Sequence, residues 1–323
     1  MPIPAVGANT RLVVAKEATY GVTPAAGTGK ILGHNNFSLK KGQNQLDNPQ
    51  LARDPNYRKP LGGRLTHEGA YPSVLNFDAL PLILEWLTGN RVTTGAGPYL
   101  HTHKIVEGAP QSRSCELEFD LNGTKHYVLH NGVMVNSFRA TLGGEGYVTA
   151  DTGLAGKTSV DSATSAFTAP ADLSAGEPVT QGMIGLTDVT IAGTQFDGMV
   201  DLSLDVTPEL NLNDYRANGS NQRHSVSRSK VRVGGTLNAM FDSLTLYNIV
   251  TAGVPVPITV KYTFNTDTWL RVTIPAALFA LSDPTVNDGG PIPFSSEFRA
   301  GLDTVSGTSL MFEVSNAKPG TDY

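Results

Sequence analysis

Two stretches decide the reading of this chain: NFDALPLILEWLTG at 76–89 and MFDSLTLYNIVTAG at 240–253. Phe77, Asp78, Leu80, Leu82 and Gly89 of the first recur as Phe241, Asp242, Leu244, Leu246 and Gly253, all at an offset of 164. A true duplication keeps its order and nearly its spacing. Upstream, FSLKK (37–41) faces LSLDV (202–206) at an offset of 165 for the shared Ser. Downstream, KHYVLHNGVMVNSFRATLGGEGYVTADTGLAG (125–156) is similar to DTWLRVTIPAALFALSDPTVNDGGPIPFSSEFRAG (267–301), and the closing Ala-Gly pairs are 145 apart. The offset falls because residues 90–115 carry an insertion in the first half. Each half therefore reads strand, long polar loop, strand, short helix, hairpin, glycine-rich turn, strand.

Length agrees, because 323 residues exceeds what one core usually organises and about 150 residues per domain predicts two units. We place them at 1–160 and 183–323, joined by a Ser/Thr/Ala-rich connector at 161–182. The chain is 40% hydrophobic with 34 Gly and 20 Pro and has no long biased run, which predicts folded, β-rich units. Charged residues make up 16%, against about 25% for typical soluble domains, so partners are expected to cover much of the surface. The single Cys115 excludes an intrachain disulfide framework and fits a reducing compartment. Neither a signal peptide nor an apolar run of about 18 residues is present, so the expectation is a protein that is neither secreted nor membrane-spanning.

Both repeated stretches predict a helix. Asp78 and Asp242 are placed to cap the first-turn amides, and Gly89 and Gly253 suit the left-handed closing position. Pro81 falls in the first turn, where its missing N–H loses nothing. Leu80, Ile83, Leu84 and Leu87 form one apolar stripe, whereas Asn248 and Thr251 interrupt the second. Leu244 and Leu246 also fit a strand there. Elsewhere Cys115, Leu117, Phe119 and Leu121 alternate with Glu116, Glu118 and Asp120 before Asn122-Gly123, which predicts a two-residue hairpin with one dry and one acidic face. VDLSLDV at 200–206 alternates likewise, with Asp201 and Asp205 opposite Leu202, Leu204 and Val206.

In this order the elements resemble the tail tube (major tail) proteins of long-tailed bacteriophages. The resemblance covers nearly the whole chain and rests on AKEATYGVTPA (15–25, with Glu17, Thr19, Gly21 and Pro24), both helix motifs, the 125–156 stretch, and LRVTIPAALFALSDPTVNDGGPIPFSSEFRAG followed by SLMFEVSN. It implies a mainly β fold: tandem β-sandwich or β-barrel tube domains, each with one short flanking α-helix and a long inter-strand loop. It further implies rings that stack into the tail tube, the conduit for DNA ejection, with three two-domain copies supplying a pseudo-sixfold ring. The implied partners are other copies of the chain, a tail tip or baseplate initiator, a tape measure protein and a tail terminator, with DNA only in transit. The implied location is the virion tail, assembled in the host cytoplasm, with no cofactor, metal or catalytic residue.

Charge adds site candidates. Residues 40–66 carry Lys40, Lys41, Arg53, Arg58, Lys59 and Arg64 against Asp47 and Asp54, for +4. Residues 207–235 carry Arg216, Arg223, Arg228, Lys230 and Arg232 against Glu209 and Asp214, for +3. With the chain at −5, the remainder sums to −12. The resemblance sends such loops to the adjacent ring, where opposite potentials would orient stacking. DNA binding by the same loops is the competing reading, disfavoured because a conduit that held phosphates tightly would slow passage. Glu116, Glu118, Asp120, Asp201 and Asp205 are candidates to line the channel and repel the DNA backbone.

Enzymatic readings find little. GLAGKTS (153–159) and AAGTGKI (25–31) echo the end of a phosphate-binding loop, but Asp151 and Pro24 occupy the required first glycine. His101 and His103 with His126 or His130 lack a third ligand type at convincing spacing and read as polar residues of a solvated hairpin. No serine sits in a nucleophile elbow. The alternative to a tube is a β-sandwich capsid-decoration or glycan-binding module, for which an exposed aromatic platform is missing: aromatics are 7% of the chain.

Overall fold

The computed structural model describes residues 6–49, 56, 59–108, 110–181, 185–217, 219–284, 286 and 290–323. The chain opens with β1 (Arg11–Lys16), β2 (Lys30–Leu32), β3 (Lys40–Leu46) and β4 (Leu61–Val74), then α1 (Leu80–Thr88). After it come β5 (Val92–Thr94), β6 (Tyr99–Lys104), β7 (Arg113–Leu121), β8 (Thr124–Gly143), β9 (Thr149–Ala155), β10 (Thr158–Ser162) and β11 (Ala171–Asp172). The second half runs β12 (Leu186–Ile191), β13 (Thr194–Gln195), β14 (Met199–Asn211), β15 (Ser227–Met240), α2 (Leu244–Ala252), β16 (Val256–Thr263), β17 (Trp269–Phe279), β18 (Pro293–Ala300) and β19 (Met311–Asn316). The fold is mainly β, as expected.

One arrangement of strands occurs in each half. In the first, long β8 carries β7 on one edge and β9 then β10 on the other; β7 is backed by β1, and β9 by β4 and then β3. In the second, long β17 carries β16 on one edge and β18 and β19 on the other; β16 is backed by β12, and β18 by β15 and then β14. The short strands β2 and β13 pair with β1 and β12 in turn. The halves meet edge to edge, where residues 138–143 of β8 pair antiparallel with residues 201–206 of β14. The second join comes from the insertion: β5 pairs with β6, and β6 pairs with β19 over residues 99–104 and 311–316.

Period-two burial follows from the pleat. Phe138, Ala140 and Leu142 of β8 and Leu202, Leu204 and Val206 of β14 all enter one core that spans both halves. Two close approaches require glycine: a Cβ on Gly235 of β15 would overlap the Ser203 carbonyl, and one on Gly69 of β4 would overlap the Leu39 backbone.

Both expected helices form and both close on left-handed glycine, Gly89 at φ 80° and Gly253 at φ 61°. Their starts differ from expectation. Asn76 accepts the Ala79 amide at 2.6 Å, while Asp78 faces Lys318 at 3.6 Å, and Ser243 rather than Asp242 precedes α2 without a side-chain bond. Side-chain reach explains this, since the cap oxygen must lie ahead of the turn it satisfies. Rather than burying one stripe, α1 is buried all round because it lies among β6, β8 and β19. In α2 only Leu246 and Val250 are buried. The Asn122-Gly123 turn has φ 56° and 82°, the left-handed pair a two-residue hairpin needs.

Of the 161–182 connector, residues 161–181 run back along the first half. Phe167 packs with Val13 and Ala15 in a small separate core, β11 pairs parallel with β2, and Pro178 and Thr180 bridge to Asn76 and Tyr147.

Candidate functional site: an open polar face and the basic segments

Six adjacent strands, β4, β9, β8, β14, β15 and β18, bury alternate residues and leave the others on one face. That face is made of short polar residues such as Thr149, Ser137, Thr141, Ser203, Thr236 and Ser295, with scattered charge. Its acids are Glu68, Asp151, Asp201, Asp205 and Glu297, and its bases Arg139, Arg232 and Arg299. Glu209 of β14, Lys230 of β15 and Arg64 of β4 continue the same alternation, so acids and bases are mixed, and several charges are tied up within the face. Arg139 pairs with Asp205 across the β8–β14 join, Arg232 pairs with Glu209 at 2.9 Å, and Asn238 donates to Asp201 at 2.8 Å. The result is a broad polar surface of mixed charge, much of it already paired.

Asp201 and Asp205 thus share the open face, but the other acidic candidates do not. Glu116 is 1% exposed and accepts the Ser165 hydroxyl and the Ala166 amide, both at 2.5 Å. Glu118 is buried between Arg11 and Lys125, and Asp120 accepts the Gly123 amide at 2.7 Å in the hairpin turn. The expected acidic face of β7 is therefore covered: residues 165–167 of the connector lie over it, which alternation in β7 alone could not reveal.

The basic candidates also divide. Lys40, Lys59 and Lys230 are exposed, Lys41 meets Asp161 at 3.3 Å, and Arg216 meets Asp214 at 3.3 Å. Arg64 lies over the Tyr215 ring at 4.9 Å. Arg223 is 2% exposed and donates to the carbonyls of Leu212 and Gly156, both at 2.8 Å. Arg228 donates to the carbonyls of Thr88 and Val106 at 3.1 and 2.9 Å. The 212–226 loop is pinned to the first half as well by Tyr215, whose hydroxyl donates to the Leu65 carbonyl at 2.7 Å. Arg53 and Arg58 lie outside the described residues.

Sequence reasoning missed a buried charge cluster on α1. Glu85 meets Lys16 at 2.7 Å, Arg91 at 3.1 Å and Arg113 at 3.2 Å, with Arg113 only 1% exposed. Burial alone would raise the Glu85 carboxyl, but Arg113, the Lys16 hydrogen bond and Arg91 outweigh it and hold the group below its usual range. A lone Glu in an apolar helix, LPLILEWLTG, is the only signal of it in the sequence.

His101 and His103 are buried at 0% exposure, not solvated. His101 bridges Thr93, Asn316 and the Lys318 carbonyl, and His103 Nδ1 donates to the Asn90 carbonyl at 3.0 Å. Among the described residues, no group of three or more His, Cys, Asp or Glu is placed to hold a metal. The 153–159 motif is the end of β9, a turn and β10, so no helix N-terminus follows it to receive phosphate. None of the described helices is long and apolar enough to cross a membrane.

Two clefts flank the sheets. One of about 370 Å³ is lined by residues 37–41 with Leu117, Phe119, Val128, His130 and Ser159. The other, about 270 Å³, is lined by residues 14–18, Thr28, Lys30, Arg113 and Tyr323.

Comparison with protein families matches residues 7–300 to the family described as phage tail tube protein. No curated protein matches the chain.

Proposed function

This chain belongs to the phage tail tube protein family, and from that premise we propose that it builds the tube by closing into rings of three copies that stack head to tail. Each copy contributes two tube units, so the ring is pseudo-sixfold. The observation that carries this reading is the β8–β14 join, an edge-to-edge seam between two halves that share one strand arrangement. A seam of that kind, repeated, makes a continuous sheet wall without exposed edges.

The open face of β4, β9, β8, β14, β15 and β18 lines the channel in this reading. Short polar side chains and carboxylates, Asp201 and Asp205 among them, suit the passage of DNA, because Arg139 and Arg232 are already paired with Asp205 and Glu209 and the wall gives phosphate no strong site to hold. The exposed cations Lys40, Lys41, Lys59, Arg64, Arg216 and Lys230 dock on acidic surfaces of the adjacent ring, and Arg53 and Arg58 are assigned to the same contact, whereas Arg232 stays on the channel face with Glu209. Arg223 and Arg228 are different: they fasten the second long loop to the first half of their own chain. Stacking is heterologous and does not close, so it generates a tube. Tail tip, tape measure and terminator proteins are the expected further contacts.

Electron microscopy of the purified protein at rising concentration, with end-on averaging, tests the reading. Hollow rings or tubes with threefold symmetry and a sixfold-looking wall are the expected result. Discrete compact particles at every concentration, with tail-initiating partners included, would replace it with a capsid-decoration or glycan-binding module.

A further inference from the structure

The cleft of about 270 Å³ beside β1 and β2 has a one-sided wall: Lys16, Lys30 and Arg113 line it against Glu17 alone, an excess of two positive charges. Both Glu17 oxygens are already engaged. Oε1 accepts the Ser114 hydroxyl at 2.8 Å and the Gly132 amide at 2.7 Å, and Oε2 accepts the Gly21 amide at 2.7 Å.

The cations, by contrast, keep donors to spare. Lys16 gives one bond to Glu85 at 2.7 Å, and an ammonium carries three donors. Arg113 directs Nη2 to the Leu82 carbonyl at 3.4 Å and to Glu85 at 3.2 Å, but its buried Nε has no partner. Among the described residues the Lys30 ammonium makes no hydrogen bond or ion pair. Burial, the largest influence on it, lowers its pKa from the ordinary lysine value; Asp322 opposes this, and Lys318 and Arg91 add to it. Charged donors withdrawn from water without an acceptor are costly, and a bound anion would satisfy them.

We propose that this cleft binds free inorganic phosphate, with Lys16 and Lys30 at its rim and the Nε of Arg113 beneath. The doubly charged ion balances the excess of the wall, and its tetrahedral oxygens accept from donors on several sides at once. The lining comes from β1, β2, β7 and Tyr323, none of it on the open polar face, so the source is the ion in solution rather than the backbone of a nucleic acid. Tyr323 belongs to a segment already fastened to the first half: Arg91 donates to the Gly320 carbonyl at 2.8 Å and lies over the Tyr323 ring at 4.9 Å. An ion held between Lys16, Lys30 and this segment adds a tie between the halves beyond the β8–β14 and β6–β19 pairings.

Titration of the full chain with inorganic phosphate, against chloride at matched ionic strength and pH 7, tests the site by thermal melting and by equilibrium dialysis of radiolabelled phosphate. The expected result is saturable binding and a melting midpoint that rises with phosphate and then levels off. Lys30→Gln should weaken binding about tenfold or more, the loss of one charge-assisted bond, and Lys30→Arg should retain it. In chloride alone Lys30→Gln should melt no lower than wild type, since it removes a half-buried charge that has no partner; a lysine with a purely structural role would cost stability there. No saturable binding by wild type, or equal affinity in Lys30→Gln, would overturn the site. Acetate raising the midpoint as far as phosphate, or a single-stranded oligonucleotide displacing the labelled ion, would overturn the choice of ligand. The ring reading does not depend on any of these results.

Discussion

Glu85 and Arg113 form a buried ion pair in the first half. Removing the carboxylate leaves Arg113 buried without its partner, and the loss expected for a broken buried pair is about 3–5 kcal/mol. Glu85→Gln should therefore lower the urea midpoint markedly, and adding Arg113→Met should restore part of it, because the unpaired guanidinium is then no longer buried. Depression of the folded Glu85 pKa means its contribution is full above the unfolded value of about 4.3 and is lost as pH falls through the folded value. Three histidines act at higher pH. Burial first, with nearby cations, holds His67 at about 4, His130 at about 4 and His103 at about 3. Between those values and about 6.5 the unfolded chain binds protons that the folded chain does not, so stability falls as pH drops across that window, by about 1.4 kcal/mol per pH unit per ring. Denaturation of His103→Gln at pH 7 and pH 5 should show a smaller pH-dependent loss than wild type. None of these partnerships was legible in the sequence, since Glu85 and Arg113 lie 28 positions apart and periodicity carries no information about which charges meet.

At the scale of elements, local signals read well. Gly89, Gly253 and the Asn122-Gly123 turn are demanded by backbone conformation, and the sequence states that directly. Gly89→Ala should destabilise by about 1–2 kcal/mol, the cost of a left-handed residue with a Cβ, whereas Gly235→Ala should cost more because the added carbon meets the Ser203 carbonyl. Caps give a sharper comparison. Asn76→Ala should cost about 1 kcal/mol and Asp78→Ala less, since its Lys318 contact is partly exposed. Thermal melting of the dissociated chain ranks all four. Misreading Asp78 as the cap was a matter of two positions, but misreading β7 had another origin. Glu116 looks solvent-facing within its own strand and is buried only because a segment 49 residues later folds over it. Long-range cover is invisible to alternation.

The whole molecule has one main core shared by both halves, with Trp86 inside it in the first half and Trp269 half-buried at the start of β17 in the second. A shared core implies a single cooperative transition. Trp86→Phe and Trp269→Phe each leave one reporter, and in either variant the fluorescence midpoint should coincide with that from circular dichroism. Separate midpoints would mean that the seam at β8–β14 is weaker than either half. The repeat of order in the sequence did not say how the halves would join, because the seam and the β6–β19 pairing link residues 58 to more than 200 positions apart. The β5–β6 hairpin gives that join a particular meaning. In a ring of identical single units, every mutation is written into every seam, and a change that hardens one hardens all. A chain that carries both units frees inheritance from that rule: β5–β6 acts only where the link is already covalent. In the ring proposed above, selection can then fix that seam without fixing the contact between copies.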